Sequence, residues 1–205
     1  MLDRALLREP LVFLIRFSVV AGVLYLLRTE ISRVYLSLVT APANWLIGED
    51  SGAVYLREGH ELSILYRQLG LRFAVHDIIY QNLLVALALF AATRADWMWR
   101  LKWGGVAVVA LWATHVVSLF LGSHVIVWDF VWSLPADIRA ELLPRVAARF
   151  PVEQDWLFSR LFGVWHTWGR QSLALAVWVL AAMPMLRRWQ AGSVDENLVG
   201  GNGGT

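Results

Sequence analysis

The run from Gly104 to Gly122 constrains this chain more than any other part of it. The run contains no Asp, Glu, Lys or Arg, and as a helix it is long enough to cross the roughly 30 Å hydrocarbon core of a lipid bilayer. His115 lies near its middle, where an imidazole needs a hydrogen-bonding partner or a ligand. The run therefore predicts a membrane protein, and His115 becomes the first candidate functional residue.

The composition supports a membrane protein and excludes several other classes. The chain is 58% hydrophobic and 17% charged, whereas soluble domains average about 45–50% apolar and about 25% charged residues. The formal net charge is +2 with scattered basic residues, which is not the footprint of a nucleic-acid-binding protein. The absence of cysteine excludes disulfides, thiolate metal sites, iron–sulfur clusters and a cysteine nucleophile.

Apolar segments predict four transmembrane helices, at about 11–27, 74–93, 104–122 and 161–186. The loop Arg94–Lys102 between the second and third is short, basic and rich in tryptophan, as is typical of a cytoplasmic loop. This pattern predicts a multi-pass protein of the bacterial inner membrane with both termini in the cytoplasm.

The segments between these helices predict smaller elements outside the membrane. The stripe Ile31, Val34, Tyr35, Leu38 and Val39 indicates an amphipathic helix that ends near Pro42. Residues 53–75 alternate with period two and predict a β-hairpin or meander, and residues 136–150 predict an amphipathic outer helix. The expected fold is an all-α membrane domain over residues 1–189, carrying this small extracytoplasmic β element, followed by a flexible glycine-rich tail at 190–205.

Five polar residues are predicted to lie at the same outer membrane face. His76, His124 and His166 begin or end three of the predicted helices, and Asp77 and Asp129 lie beside them. Three imidazoles and two carboxylates at one depth could hold a metal ion, and two of the imidazoles could ligate a haem. Their spacing matches no HExxH or other ligand motif, so interfacial hydrogen bonding or an interhelical polar network stays open as the alternative.

His115 lies roughly 13 Å along the helix from His124, so the two cannot serve one metal ion. A mid-membrane histidine suits an axial ligand of haem or of a chlorophyll-type pigment. The alternative is a hydrogen bond to a neighbouring helix.

The order of these elements, with the segment LGLRFAVHDIIYQNLLVALALFAAT at 69–93, resembles the exosortase H-associated membrane proteins. The resemblance covers most of the chain and lies in layout and hydropathy. It implies an accessory partner in the processing or surface sorting of exported proteins. Exosortases themselves use Cys, Arg and His, and a chain without cysteine is not expected to perform that reaction.

The expected function is therefore a non-catalytic accessory or structural subunit of a larger inner-membrane assembly, in contact with lipid and with other membrane proteins. One alternative is a haem- or pigment-binding subunit of an electron-transfer or photosynthetic complex. Another is an intramembrane enzyme that uses the outer His and Asp residues. No catalytic residue is assigned.

Overall fold

The computed structural model describes residues 4–58, 61–75, 81–152, 155–166 and 172–185. These residues form mostly helix with one three-stranded antiparallel sheet, which confirms the predicted combination of helices and a small β element. The elements are α1 (Arg4–Leu26), α2 (Arg28–Ile47), a 3-10 turn (Glu49–Ser51), β1 (Ala53–Glu58), β2 (Glu61–Tyr66), β3 (Leu71–Val75), α3 (Gln81–Ala92), α4 (Trp97–Ser133), α5 (Ala136–Ala147), α6 (Asp155–Val164) and α7 (Ser172–Met185). The predicted tail at 190–205 lies outside the described residues.

Two of the described helices are long and apolar enough to cross a membrane, namely α1 over Arg8–Leu26 and α4. The shorter apolar helices α3 and α7 extend about 18 and 21 Å, less than the roughly 30 Å hydrocarbon core. The four predicted spans are therefore not confirmed. Residues 74 and 75 of the second predicted span belong to β3, and the last predicted span, 161–186, contains the end of α6 as well as α7.

Helix α4 is far longer than the predicted span at 104–122. It begins at Trp97 because the Asp96 carboxylate accepts a hydrogen bond from the Trp99 backbone N–H at 2.7 Å and caps the helix. It continues to Ser133, just before Leu134 and Pro135. Its 37 residues extend about 55 Å, so α4 exceeds the thickness of a bilayer core by more than 20 Å.

Helix α4 passes through two separate hydrophobic cores. The first lies where α4 meets α3 and α7, and its buried members are mainly alanine: Ala86, Phe90, Ala107, Leu111, Ala174 and Ala181. Small residues let helix backbones approach closely, as is typical of helices that pack within membranes. The second core is built from the C-terminal half of α4 with α2, the sheet and α5, and contains larger side chains such as Trp128, Tyr66 and Ile64.

Helix α2 buries a face that is rotated from the predicted stripe, so that Tyr35 and Val39 are buried as expected but Val34 and Leu38 are not. The buried residues are Ser32, Tyr35, Leu36, Val39, Thr40 and Ala43, whereas Val34 and Leu38 are 61% and 57% exposed. Burial of the polar positions is possible because Ser32 Oγ donates to the Thr29 carbonyl and Thr40 Oγ1 to the Leu36 carbonyl, so both hydroxyls are satisfied within the helix. The apolar outer side is left facing away from the core.

The sheet lies against α4 through its inner face. The strand order is β1-β2-β3, with Tyr55 opposite Ile64 and Ile64 opposite Phe73. Gly122 of α4 allows the close approach of this face, because a Cβ atom there would lie 3.4 Å from the Tyr55 hydroxyl and 3.2 Å from the Phe162 ring.

Candidate functional site along helix α4

Five buried side chains that carry hydroxyl or imidazole groups belong to α4 or to the elements packed against it. We call the set formed by Tyr35, Tyr55, Tyr66, His115 and His124 the α4 polar seam. All five side chains are less than 6% exposed. They come from α2, β1, β2 and α4, so the seam forms only when the sheet and α2 pack against α4.

His115 is held by α2. Its Nδ1 atom lies 2.7 Å from the Tyr35 hydroxyl, and the two rings pack edge to face. Burial raises the pKa of the Tyr35 phenol, so the hydroxyl keeps its proton and pairs with either tautomer of the imidazole. The structure thus places a helix-to-helix hydrogen bond at His115, which sequence analysis considered as the alternative to a ligand.

The same bond has a chemical consequence for ligation. A histidine whose Nδ1 is fixed by a hydrogen bond presents Nε2 as its ligating atom. Tyr35 would therefore orient the ring if His115 bound a haem or pigment, and the predicted ligand role remains a prediction.

Tyr55 and Tyr66 fasten the sheet to α4. The Tyr55 hydroxyl donates to the Leu119 carbonyl at 2.8 Å, and the Tyr66 hydroxyl donates to the Ser123 carbonyl one turn further along. Burial raises the pKa of both phenols, so both remain neutral donors. Sequence reasoning did not identify these residues. The available signal was a tyrosine on the inward-facing side of each alternating strand, since a buried Tyr hydroxyl usually finds a partner.

Asn44 of α2 closes the free edge of β1. Its side-chain amide donates to the Tyr55 carbonyl at 3.0 Å, and its Oδ1 accepts from the Tyr55 N–H at 2.7 Å. An edge strand otherwise exposes such groups to pairing with another chain. These two hydrogen bonds also fix the position of Tyr55 along α4.

His124 lies among aromatic rings. Phe158 is 4.8 Å and Phe150 5.8 Å away between ring centroids, both edge to face, and Trp128 is 6.4 Å away. Its Nε2 has no hydrogen-bond partner among the described residues, and neither has the Trp128 Nε1. This surrounding is typical of a packed imidazole.

Of the five residues predicted to form the outer metal site, the structure describes three. His76 and Asp77 lie outside the described residues. Asp129 is exposed on α4, and the His166 ring packs on Phe162 at 5.3 Å. Within the described part of the chain, no group of three or more His, Asp or Glu side chains is placed to hold a metal ion, so a site that includes His76 and Asp77 remains a prediction.

An unexpected contact explains how α2 continues past Pro42 to Ile47. Proline has no N–H to donate to the carbonyl four residues earlier, which belongs to Leu38. The Trp112 indole of α4 fills this place, since its Nε1 donates to the Leu38 carbonyl at 2.9 Å. The expectation that α2 ends near Pro42 was wrong because a side chain of another helix replaces the missing donor.

Replacing Trp112 by Phe is expected to lower the free energy of unfolding by about 1–2 kcal/mol, because the Leu38 carbonyl loses the indole donor that replaces the missing proline N–H. Replacing Pro42 by Ala as well restores a backbone N–H, so the loss caused by Trp112→Phe should shrink in the Pro42→Ala background. Thermal unfolding in detergent measures both, with Trp45→Phe as the control because Trp45 is 80% exposed. An equal loss in both backgrounds would contradict this account.

A groove lies between α4 and α6 on a side of α4 that His115 does not line. It has a volume of about 670 Å³, and its walls are largely apolar. Ala113, Val117 and Leu121 of α4 face Leu157, Leu161 and Val164 of α6 across it. Arg160 and Trp156 also line it.

The chain was also compared with known proteins. No protein-family model, curated protein or solved structure matches it.

Proposed function

We propose that this protein is a non-catalytic accessory subunit of an inner-membrane assembly, in which a helical membrane anchor holds a small outward domain. The observation that carries the proposal is the double role of α4. One end of α4 packs in the alanine-rich core with α3 and α7, and the other forms the centre of the core beneath the sheet. A single continuous helix therefore couples the two parts without a flexible linker.

The anchor is proposed to contain all four apolar helices, α1, α3, α4 and α7. Ala86, Ala107 and Ala174, one from each of α3, α4 and α7, share one core. The Trp178 indole donates to Thr93 Oγ1 at 2.7 Å, and the Phe13 ring of α1 packs on Trp178 at 5.6 Å. The short helices thus lie beside both long ones, at the end of the bundle marked by the Arg94–Glu9 ion pair.

Lipid or partner contact is supported by the outer surface of the helices. None of the apolar window of α1 is buried within the chain, and Leu14 and Val19 are 56% and 61% exposed. Val34 and Leu38 of α2 are exposed as well. Contiguous apolar surface of this kind is stable only against lipid or another protein.

A role for the outward domain in the sorting of exported proteins belongs to the same proposal, and it rests on the resemblance of the chain's layout to the exosortase H-associated proteins. The polar seam supports a structural use of the buried side chains. His115 bonds Tyr35, and the Tyr55 and Tyr66 hydroxyls bond backbone carbonyls of α4.

A second candidate, a haem- or pigment-binding subunit, is favoured by the Tyr35–His115 bond, which would orient an axial ligand. The two functions are separated by purifying the protein in mild detergent with its co-purifying proteins and recording the visible absorption spectrum. We expect a colourless preparation in which partner proteins are retained at fixed stoichiometry.

The decisive variant is His115→Leu, with His60→Leu as a matched control, because His60 lies in the connection between β1 and β2 and belongs to no candidate site. A haem or pigment band that is lost in His115→Leu and kept in the control, with both variants folded, would replace the accessory proposal by the cofactor-binding one. A protein that purifies alone and uncoloured would contradict both.

A further inference from the structure

The groove between α4 and α6 combines an apolar wall with one cation. Leu161 and Val164 are 49% and 66% exposed in the groove. The Arg160 guanidinium lies 5.9 Å from the centre of the Trp156 ring. Among the described residues no carboxylate lies within ion-pair distance of Arg160.

The depth of the groove follows from α4. Ala113 and Leu121 lie roughly 24 and 36 Å along the helix from Trp97. If Trp97 and Trp99 mark the inner boundary of the membrane, as interfacial tryptophans do, the groove crosses the outer boundary of the roughly 30 Å hydrocarbon core. This step rests on the proposed membrane placement.

Arg160 lies on the middle of the three α6 turns that line the groove, level with about Gly122 of α4. Phe158 precedes it and packs on Phe120 and His124, at 5.9 and 4.8 Å between ring centroids. Phe162 follows it and is in contact with Gly122. The guanidinium is thus level with the lipid headgroups, and the apolar wall below it is level with the acyl chains.

We propose that this groove binds one anionic phospholipid, with an acyl chain along the apolar wall and the phosphate against Arg160. The charge of Arg160 selects an anion, because a guanidinium forms bidentate hydrogen bonds with phosphate oxygens. The apolar wall favours a ligand that carries an acyl chain. Together they match a phospholipid better than a soluble anion, which would leave the wall exposed.

The test uses the full chain, purified and delipidated in detergent, and offered equimolar palmitoyl-oleoyl phosphatidylglycerol and phosphatidylcholine. Native mass spectrometry counts the lipids that stay bound. The expected result is one retained lipid, with phosphatidylglycerol preferred about fivefold and the preference reduced at high salt.

Arg160→Gln is expected to abolish the preference, whereas the control Arg67→Gln, an exposed arginine outside the groove, keeps it. Val117→Trp fills the groove at a half-exposed position and should reduce retention of both lipids. A preference that survives in Arg160→Gln, or retention unchanged in Val117→Trp, would overturn the inference.

Alkaline extraction of membranes separates this failure from failure of the proposed function. A wild-type chain that stays in the membrane pellet while the groove variants bind lipid like wild type overturns only the lipid site. A wild-type chain released by alkali overturns the membrane anchor and the lipid site together.

Discussion

A cysteine placed at Glu141 is expected to react with a membrane-impermeant maleimide in intact spheroplasts, and one placed at Lys102 only after the membrane is opened. Both side chains are exposed. Lys102 lies near the start of α4, and Glu141 lies on α5, beyond the other end of α4. Lys102 and the end of α4 are roughly 46 Å apart along the helix, more than the thickness of the hydrocarbon core. The native chain has no cysteine, so background labelling should be absent.

Two further positions test the anchor. Val109 is 62% exposed on α4, and a cysteine there should react only after detergent is added, because lipid covers it. A cysteine at Ser193, beyond α7, should behave like the one at Lys102 if all four apolar helices cross. Labelling of both Lys102→Cys and Glu141→Cys in intact spheroplasts would contradict a membrane crossing by α4. The reverse labelling pattern would contradict only the orientation.

Replacing Trp128 by Ala is expected to lower the free energy of unfolding by about 3–5 kcal/mol. Trp128 is fully buried in the second core, which the C-terminal half of α4 forms with α2, the sheet and α5. Its ring stacks on the Trp132 ring at 5.6 Å. The loss should lower the thermal midpoint in detergent by roughly 6–20 °C. The chain offers Trp45→Ala as a matched control, since Trp45 is 80% exposed and its removal should have little effect.

Trp128→Phe separates volume from hydrogen bonding. The Trp128 Nε1 has no partner among the described residues, so its removal costs no hydrogen bond, and the phenylalanine variant should be far less destabilised than the alanine variant. Equal destabilisation by Trp128→Ala and Trp45→Ala would show that the stability of the second core does not depend on Trp128.

Local sequence patterns predicted the sheet well and the helix limits poorly. The alternation through Tyr55, Ile64 and Phe73 marks strands whose inward side chains meet in register, because the two-residue period of a strand is a local property. The limits of α4 depended on the Asp96 cap, which the tryptophan-rich loop composition concealed. The continuation of α2 past Pro42 depended on Trp112, 70 positions later in the chain, and no local pattern contains that information.

The candidate site was likewise predictable from the sequence only in part. Sequence identified His115 and His124 as unusual because polar side chains are costly in an apolar helix. It could not supply Tyr35 as the partner of His115, because that contact joins residues 80 positions apart. The groove could not be predicted from the sequence either, because Arg160 and Val117 line one groove only when α6 packs against α4.

What the sequence determined by itself was the class of chain: apolar, free of cysteine, mostly helical with a small sheet, and with a long apolar segment around His115. Composition and periodicity suffice for this because they act through solvent transfer and backbone geometry, residue by residue. The tertiary structure alone decided which face of α2 is buried, which carbonyls Tyr55 and Tyr66 bond, and where Arg160 lies. These features depend on buried polar groups finding partners across the fold, and the chain must be packed before those partners exist.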